Sequence, residues 1–148
     1  MLTKAEQKSL VLTYLKAFDN GGTAPDGRSI LELFADDAEV YFPKWGIARG
    51  LTEIERLFSD VGAGIIEIRH RYDTVRWVLA DGPLLAAEGE SDGVHRDGAW
   101  RAGEPESGAG RWCDVFEFAG KKISRCYIYL DPDYGGRDTA RYQWLTAR

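Results

Sequence analysis

The first sixty residues of the chain place hydrophobic side chains at helical spacing. Leu10, Val11, Tyr14, Leu15 and Phe18 share one helical face, and two later segments repeat the pattern. A Thr-x-x-Glu capping box, which satisfies free backbone N–H groups, opens the first segment and the third. The pattern predicts three helices in the N-terminal half, in residues 3–20, 30–34 and 52–61.

Hydrophobic and polar residues alternate from Ile65 onward, which is the period of a β-strand. The alternation predicts two long strands and a final hairpin, in residues 65–79, 84–94, 110–118 and 121–130. An earlier strand is expected at 39–42, and loops are expected at 44–50 and 95–110, the second of them mobile. Helices followed by strands indicate the α+β class. We expect a curved mixed or antiparallel sheet wrapped as a cone around the three helices, in one domain covering residues 1–148.

The final hairpin can be given a predicted register. A two-residue turn at Ala119-Gly120 would pair Phe118 with Lys121 and, farther along, Asp114 with Arg125. Alternation then separates the side chains onto two faces. The inner face would carry Trp112, Asp114, Phe116, Arg125, Tyr127 and Tyr129. The outer face would carry Cys113, Val115, Cys126 and Ile128, which we expect to form a dimer contact.

Composition narrows the classes of function. The chain has 148 residues and a net charge of −5, which argues against nucleic acid or an anionic membrane as the main partner. No apolar run approaches the about 18 residues that cross a bilayer. The N-terminus lacks the apolar segment of a signal peptide, so we expect a cytoplasmic protein. Two Cys and two His without metal-ligand spacing predict no metal site.

Three stretches of the chain carry a family resemblance: Tyr14 in the first helix, Leu33-Phe34-Ala35-Asp36-Asp37-Ala38, and Asp114-Val115-Phe116-Glu117-Phe118. With the order of elements, they resemble the nuclear transport factor 2-like superfamily, which includes SnoaL-like polyketide cyclases, scytalone dehydratases and ketosteroid isomerases. The resemblance implies a cystatin-like cone with an interior ligand site. It is more specific for the fold than for the activity, because this fold carries many reactions.

The resemblance also implies roles for individual residues. Ketosteroid isomerases use a Tyr and a late-strand Asp to donate to an oxyanion, and the matching residues here are Tyr14 and Asp114. The position of their proton-moving Asp is occupied by Phe42, which argues against that mechanism. Dehydratase-like relatives use a His as base. His70 lies on the inward-facing side of its predicted strand and is the matching candidate. His95 matches their second His only loosely.

Aromatic residues are expected to wall the cavity, because aromatic area suits a flat apolar ligand. The predicted ligand-binding residues are Phe42, Trp45, Trp112, Tyr127 and Tyr129. Asp114 has two open interpretations. It is a general acid whose pKa is raised by an apolar cone, or it is an ion-pair partner of Arg125 with a lowered pKa.

Three functions remain open at this stage. The first is a cofactor-free lyase, isomerase or cyclase acting on a hydrophobic, cyclic, oxygenated small molecule, with His70, Asp114 and Tyr14 as catalytic residues. The second is a non-catalytic ligand-binding or dimerisation module with the same fold. The third is an accessory subunit resembling the β-subunit of ring-hydroxylating dioxygenases. The resemblance implies a homodimer in each of the first two cases.

Overall fold

The computed structural model describes residues 1–138, 141, 142 and 144. Within residues 1–138, two α-helices lie against one sheet: α1 at Lys4–Asp19 and α2 at Gly50–Gly62. The predicted capping box at the start of α1 is present, with the Thr3 side chain accepting from the Glu6 backbone and the Glu6 carboxylate accepting from the Thr3 backbone. The last residues of the tail lie outside the described part of the chain.

The prediction of three helices is wrong in two details. The expected second helix is a four-residue 3-10 turn, Ile30–Leu33, and the backbone is already extended at Phe34. The expected capping box at Thr52 is not used. Helix α2 begins at Gly50, and the backbone N–H of Arg49 donates to Glu53 over 2.7 Å.

Seven strands form one curved, mixed sheet. They are β1 at Phe34–Phe42, β2 at Gly46–Arg49, β3 at Ile65–Leu79, β4 at Leu84–His95, β5 at Gly98–Arg101, β6 at Arg111–Ala119 and β7 at Lys122–Leu130. The order is β2-β1-β7-β6-β4-β3, with β5 paired to β4. Strands β1 and β7 are parallel and the other pairs are antiparallel. Strands β2 and β5 occupy parts of the segments that were predicted to be loops.

The predicted register of the final hairpin is wrong. Ala119 pairs with Lys122, and a bulge follows, so that Glu117 pairs with Arg125 and Asp114 with Ile128. The bulge adds one residue to β7, at Ser124, and this single insertion decides which β7 side chains share a face with Asp114. Cys126 and Ile128 are therefore buried on the inner face.

The corrected register also moves the side chains that were expected inside. Arg125, Tyr127 and Tyr129 lie on the outer face, where Arg125 stacks on the Tyr127 ring at 3.5 Å. Cys113 pairs with Tyr129, so the two cysteines lie on opposite faces and both are free thiols. The predicted outer-face dimer contact therefore keeps Cys113 and Val115 and loses Cys126 and Ile128.

The core fills the space between the two helices and the inner face of the sheet. Tyr14 and Leu15 of α1 are buried against Phe34 of β1 and Phe116 of β6. None of the helices in the described residues is long and apolar enough to cross a membrane.

Candidate functional site

A cavity of about 730 Å³ lies between α1, the 3-10 turn, α2 and the inner face of the sheet. This volume is within the range of about 300–1,000 Å³ that is usual for small-molecule sites. Its walls are mainly aliphatic and aromatic. The ionisable side chains that line it are Tyr14, Asp19, Glu55, Glu67, His70, Asp114 and Tyr134.

Asp114 is the buried carboxyl group of the cavity. Strand β6 carries it between β4 and β7, opposite Ala87 and Ile128, and the residue is 4% exposed. Its Oδ1 atom has no hydrogen-bond partner among the described residues. Burial raises the pKa of Asp114 to about 8, because the charged form loses hydration that nothing replaces. The carboxyl group is therefore largely protonated at neutral pH and can donate a proton.

The alternative pairing of Asp114 with Arg125 does not occur. Arg125 lies on the outer face, where its guanidinium is 3.7 Å from Glu117 and stacks on Tyr127. The two residues were predicted to be opposite each other because the turn was placed one residue too early and the bulge in β7 was not anticipated.

His70 is held in place by Asp19, the last residue of α1. The Nδ1 atom of His70 is 2.6 Å from Asp19 Oδ1, and the backbone N–H of His70 donates to the same oxygen over 3.1 Å. The Tyr72 hydroxyl donates to Asp19 Oδ2 over 2.6 Å. An ionised carboxylate only accepts hydrogen bonds, so Nδ1 carries the hydrogen, and in the neutral imidazole the lone pair is then on Nε2. His70 can thus accept a proton at Nε2.

Tyr14 lies where the sequence placed it, in the interior beside Asp114. Its ring makes edge contacts with Phe18, Phe34 and Phe116, at centroid distances of 5.1, 5.9 and 5.5 Å. The Cys126 thiol donates to the Tyr14 hydroxyl over 3.5 Å, so the hydroxyl hydrogen remains able to donate elsewhere. Burial raises the pKa of Tyr14 well above its usual value, which keeps the hydroxyl protonated.

Trp112 supplies a second unpartnered polar atom to the site. The residue is buried, and its indole Nε1–H has no acceptor among the described residues. It packs edge-on against the His70 ring at 5.5 Å. Gly89 on β4 makes room for the indole, since a Cβ there would lie 2.7 Å from it. An orphaned donor and an orphaned carboxyl oxygen, two residues apart on one strand, are the groups that a polar ligand would satisfy.

The predicted aromatic wall is only partly correct. Phe42 and Trp112 line the cavity. Trp45 packs edge-on against Phe42 at 5.4 Å but is 46% exposed and lines a separate shallow depression beside Pro132. Tyr127 and Tyr129 contact Tyr41 on the outer face, at 5.7 and 5.8 Å. Their predicted place in the cavity is wrong because it depended on the hairpin register.

Asp19 and Tyr134 line the cavity and were not predicted to do so. Asp19 sits at the end of an amphipathic helix, where a carboxylate has no local signal that connects it with a histidine 51 residues later. Tyr134 lies beyond the last strand, in a segment for which the sequence predicts no helix or strand. His95, the weak second-histidine candidate, stacks on Tyr134 at 6.3 Å and is not part of the lining.

The fold is similar to several solved structures. A nuclear transport factor 2-like protein from Anabaena variabilis superposes with a TM-score of 0.67 at 16% identity, covering 91% of this chain and 97% of that one. A putative polyketide cyclase from Xanthomonas campestris gives 0.66 at 17% identity, covering 97% and 96%. A Catenulispora acidiphila protein with a ketosteroid isomerase-like fold, in complex with trimethylamine, gives 0.64 at 17% identity, covering 88% and 92%.

These identities establish the fold and leave the activity open. No functionally curated protein matches the chain. The model of the SnoaL-like domain matches residues 11–126, which span part of α1, all of α2, the first six strands and part of β7. The chain therefore belongs to the SnoaL-like domain family.

Proposed function

We propose that the protein is a cofactor-free acid/base enzyme, a lyase, isomerase or cyclase, that acts on a hydrophobic, cyclic, oxygenated small molecule. One observation carries this proposal. The same cavity is lined by a histidine whose free nitrogen can take a proton and by a buried carboxyl group that can give one. To move a proton within one ligand, a site needs one group that can accept a proton and another that can donate one.

The roles follow from the geometry of the three side chains. His70 removes a proton from carbon next to a carbonyl group, and the resulting positive charge is stabilised by Asp19. Asp114 donates to the carbonyl oxygen as negative charge develops on it, with Tyr14 as a second donor. Apolar walls keep water away, which strengthens these polar contacts.

The lining supports an uncharged ligand. Among the described residues, no Lys or Arg lines the cavity, whereas four carboxyl groups do, those of Asp19, Glu55, Glu67 and Asp114. An anionic ligand would enter this cavity without a counter-charge. A neutral ketone, phenol or ester avoids that cost. The names of the similar structures, polyketide cyclase and ketosteroid isomerase-like, fit such ligands at the level of the fold.

A second function is favoured by Phe42. This ring occupies the position where the ketosteroid isomerases carry their proton-moving carboxylate, and it lines the cavity. If His70 does not replace that base, the cavity binds a ligand without transforming it. The chain would then be a binding module, and in either case we propose that it works as a homodimer.

The test begins with uncharged cyclic ketones and phenols, of which 2-tetralone and 2-naphthol are the simplest. A ligand at about 100 times its dissociation constant stabilises the fold by roughly 2.7 kcal/mol, which a thermal-shift assay detects easily. Exchange of the α-protons of each stabilising ketone into D₂O is then followed by NMR. We expect H70A and D114N to lower this exchange rate by about 100-fold or more.

The matched control is E117Q, which changes a carboxylate on the same strand but on the outer face. It should exchange protons as the wild type does. The contrary result is a ketone that binds the wild type and yet exchanges its α-protons no faster than in buffer. That result would contradict the proposed enzyme and support the binding module.

A further inference from the structure

Residues 131–138, which follow β7, form a folded segment that we call the strap. Both carboxylate oxygens of Asp133 organise it, accepting from the backbone N–H groups of Arg137 over 3.1 Å and Asp138 over 2.9 Å. The Gly136 N–H donates to the Asp133 carbonyl over 3.0 Å. The strap therefore has a defined local conformation of its own.

The strap is seated tightly against the turn between β4 and β5. Gly135 passes so close to Asp97 that a Cβ at this glycine would lie 3.1 Å from the Asp97 carbonyl carbon and nearer still to its side chain. Gly98 makes the approach from the other side, since a Cβ there would lie 3.3 Å from the Gly135 oxygen. The Arg137 guanidinium is 3.6 Å from the Asp97 carboxylate. Only glycine at position 135 permits this contact.

This contact between the strap and the β4–β5 turn directs the side chain of Tyr134 into the protein interior. Tyr134 is 7% exposed and packs between Trp100, at 4.6 Å between ring centroids, and His95, at 6.3 Å. Trp100 is itself fixed, because its Nε1–H donates to Ser91 over 3.1 Å. Tyr134 lines the cavity together with Trp112 and Asp114, and its hydroxyl makes no hydrogen bond within the described part of the chain.

We propose that Tyr134 is a further functional residue of the cavity. The strap places this side chain in the wall of the cavity that also contains Asp114. There it covers part of the cavity against water, and its hydroxyl can donate to the oxygen atoms of a ligand. This inference deepens the proposed function, because it adds a positioning residue to the same site. It rests on the cavity and on the seat of the strap, both of which exist whether or not a reaction takes place.

The pKa of Asp114 is sensitive to this arrangement, because the elements packed around it contribute titratable groups. Tyr14 faces it from α1, Cys126 from β7 and Tyr134 from the strap. Burial, and after it the charge of Asp114, raises the pKa of each of these three groups. His70 on β3 lines the same cavity, and Cys113 is its neighbour on β6. Among these groups, only the Tyr134 hydroxyl belongs to the strap. Its removal therefore changes the surroundings of the Asp114 carboxyl group at one point only.

The experiment is a titration of the Asp114 carboxyl carbon by ¹³C NMR in the full chain. Replacing Tyr134→Phe keeps the ring packing but removes a dipole that can turn toward the carboxylate. We expect the midpoint to rise by about half a pH unit or more. Replacing Gly135→Ala pushes the strap off Asp97 and admits water, so the midpoint should fall by about one unit or more toward the ordinary value. We therefore expect the two substitutions, at adjacent positions, to shift the Asp114 midpoint in opposite directions.

Two controls separate this role from a merely structural one. Y129F removes a hydroxyl from the outer face, and G103A adds a Cβ whose nearest neighbour is the flexible end of Arg71, at 3.2 Å. Neither should move the midpoint. An unchanged or lowered midpoint in Y134F would overturn the proposal, and Y134F alone decides if G135A does not fold. Loss of proton exchange on every ketone, with these shifts intact, would reject the proposed function and keep the role of Tyr134.

Discussion

At the scale of single residues, the site depends on two carboxyl groups in different surroundings. Asp19 accepts hydrogen bonds from His70 and Tyr72, whereas Asp114 has an oxygen without any partner among the described residues. Partners favour the ionised form of a carboxyl group, and dry burial favours the protonated form. The chain thus surrounds one carboxyl group with hydrogen-bond donors beside the histidine and leaves the other in a dry site, where it can donate a proton.

Asp114 should make stability depend on pH in an unusual direction. Its pKa is raised from 3.8 to about 8, so between these values the folded state holds a proton that the unfolded state has lost. Stability then falls as pH rises through this window, by about 1.4 kcal/mol per pH unit at most, and levels off above about pH 8. D114N removes the titration while keeping the shape.

We expect urea unfolding to show that D114N loses less stability than the wild type between pH 5 and pH 9, a range chosen to bracket most of the window. The variant should be the more stable protein at the alkaline end. Parallel stability profiles for the two proteins would mean that Asp114 ionises normally.

Asp19 should fix the tautomer of His70. In D19N the side-chain amide can donate as well as accept a hydrogen bond, so Nδ1 need not carry the hydrogen. The hydrogen is then expected to distribute between the two ring nitrogens. The ¹⁵N shifts of the imidazole measure this directly, and proton exchange on a bound ketone should slow by about tenfold or more. D37N changes an exposed aspartate of β1 and serves as the control. An unchanged tautomer in D19N would contradict the assigned role.

At the scale of elements, much of the fold follows from hydrophobic periodicity. The pattern located α1, β3, β4, β6 and β7 because each is long enough to show its period several times. Strands β2 and β5 have four residues each, with a glycine at the start, and such short segments resemble loops. The bulge at Ser124 has no signature in the sequence, and it alone reversed the predicted environment of Tyr127 and Tyr129.

The same limit applies to the candidate site. Alternation and the family resemblance together placed Tyr14, His70, Asp114 and Trp112 in the cavity. Asp19 and Tyr134 depend on where a helix end and a terminal segment meet the sheet. Those contacts join residues more than thirty positions apart in the chain, and no local pattern encodes them.

Gly89 provides a test of how β4 and β6 fit together. G89A would press a methyl group against the Trp112 indole, at an initial distance of 2.7 Å. Overpacking of this kind costs about 1–3 kcal/mol. We expect lower stability by urea unfolding and, because Trp112 contacts His70, weaker ligand binding. G103A should change neither, and a neutral G89A would show that the indole is not fixed by β4.

At the scale of the whole molecule, the outer face of the sheet carries an apolar row that crosses six strands. Successive register partners are Val78, Ala86, Val115, Tyr127, Tyr41 and Ile47. Val78 is 63% exposed, and Tyr129 beside the row is 49% exposed. A continuous exposed apolar surface of this kind is typical of a subunit interface. It is the surface that the proposed homodimer would bury.

We therefore expect a dimer mass at micromolar concentration by sedimentation velocity. The double variant V78E/Y129E should dissociate to folded monomers, because it places buried like charges in the interface. I66E is the control, since Ile66 is 70% exposed but lines the cavity on the other side of the sheet. A monomeric wild-type protein would contradict the proposal.

The proposed chemistry requires that one cavity hold both a proton donor at neutral pH and a histidine that can accept a proton. The ¹³C titration of the Asp114 carboxyl group in the unliganded wild-type protein tests this requirement directly. We expect a midpoint near 8, because burial raises the pKa of this carboxyl group to about 8. A midpoint close to the ordinary 3.8 would mean that Asp114 is an anion at neutral pH, and the acid/base site proposed for this protein would be wrong.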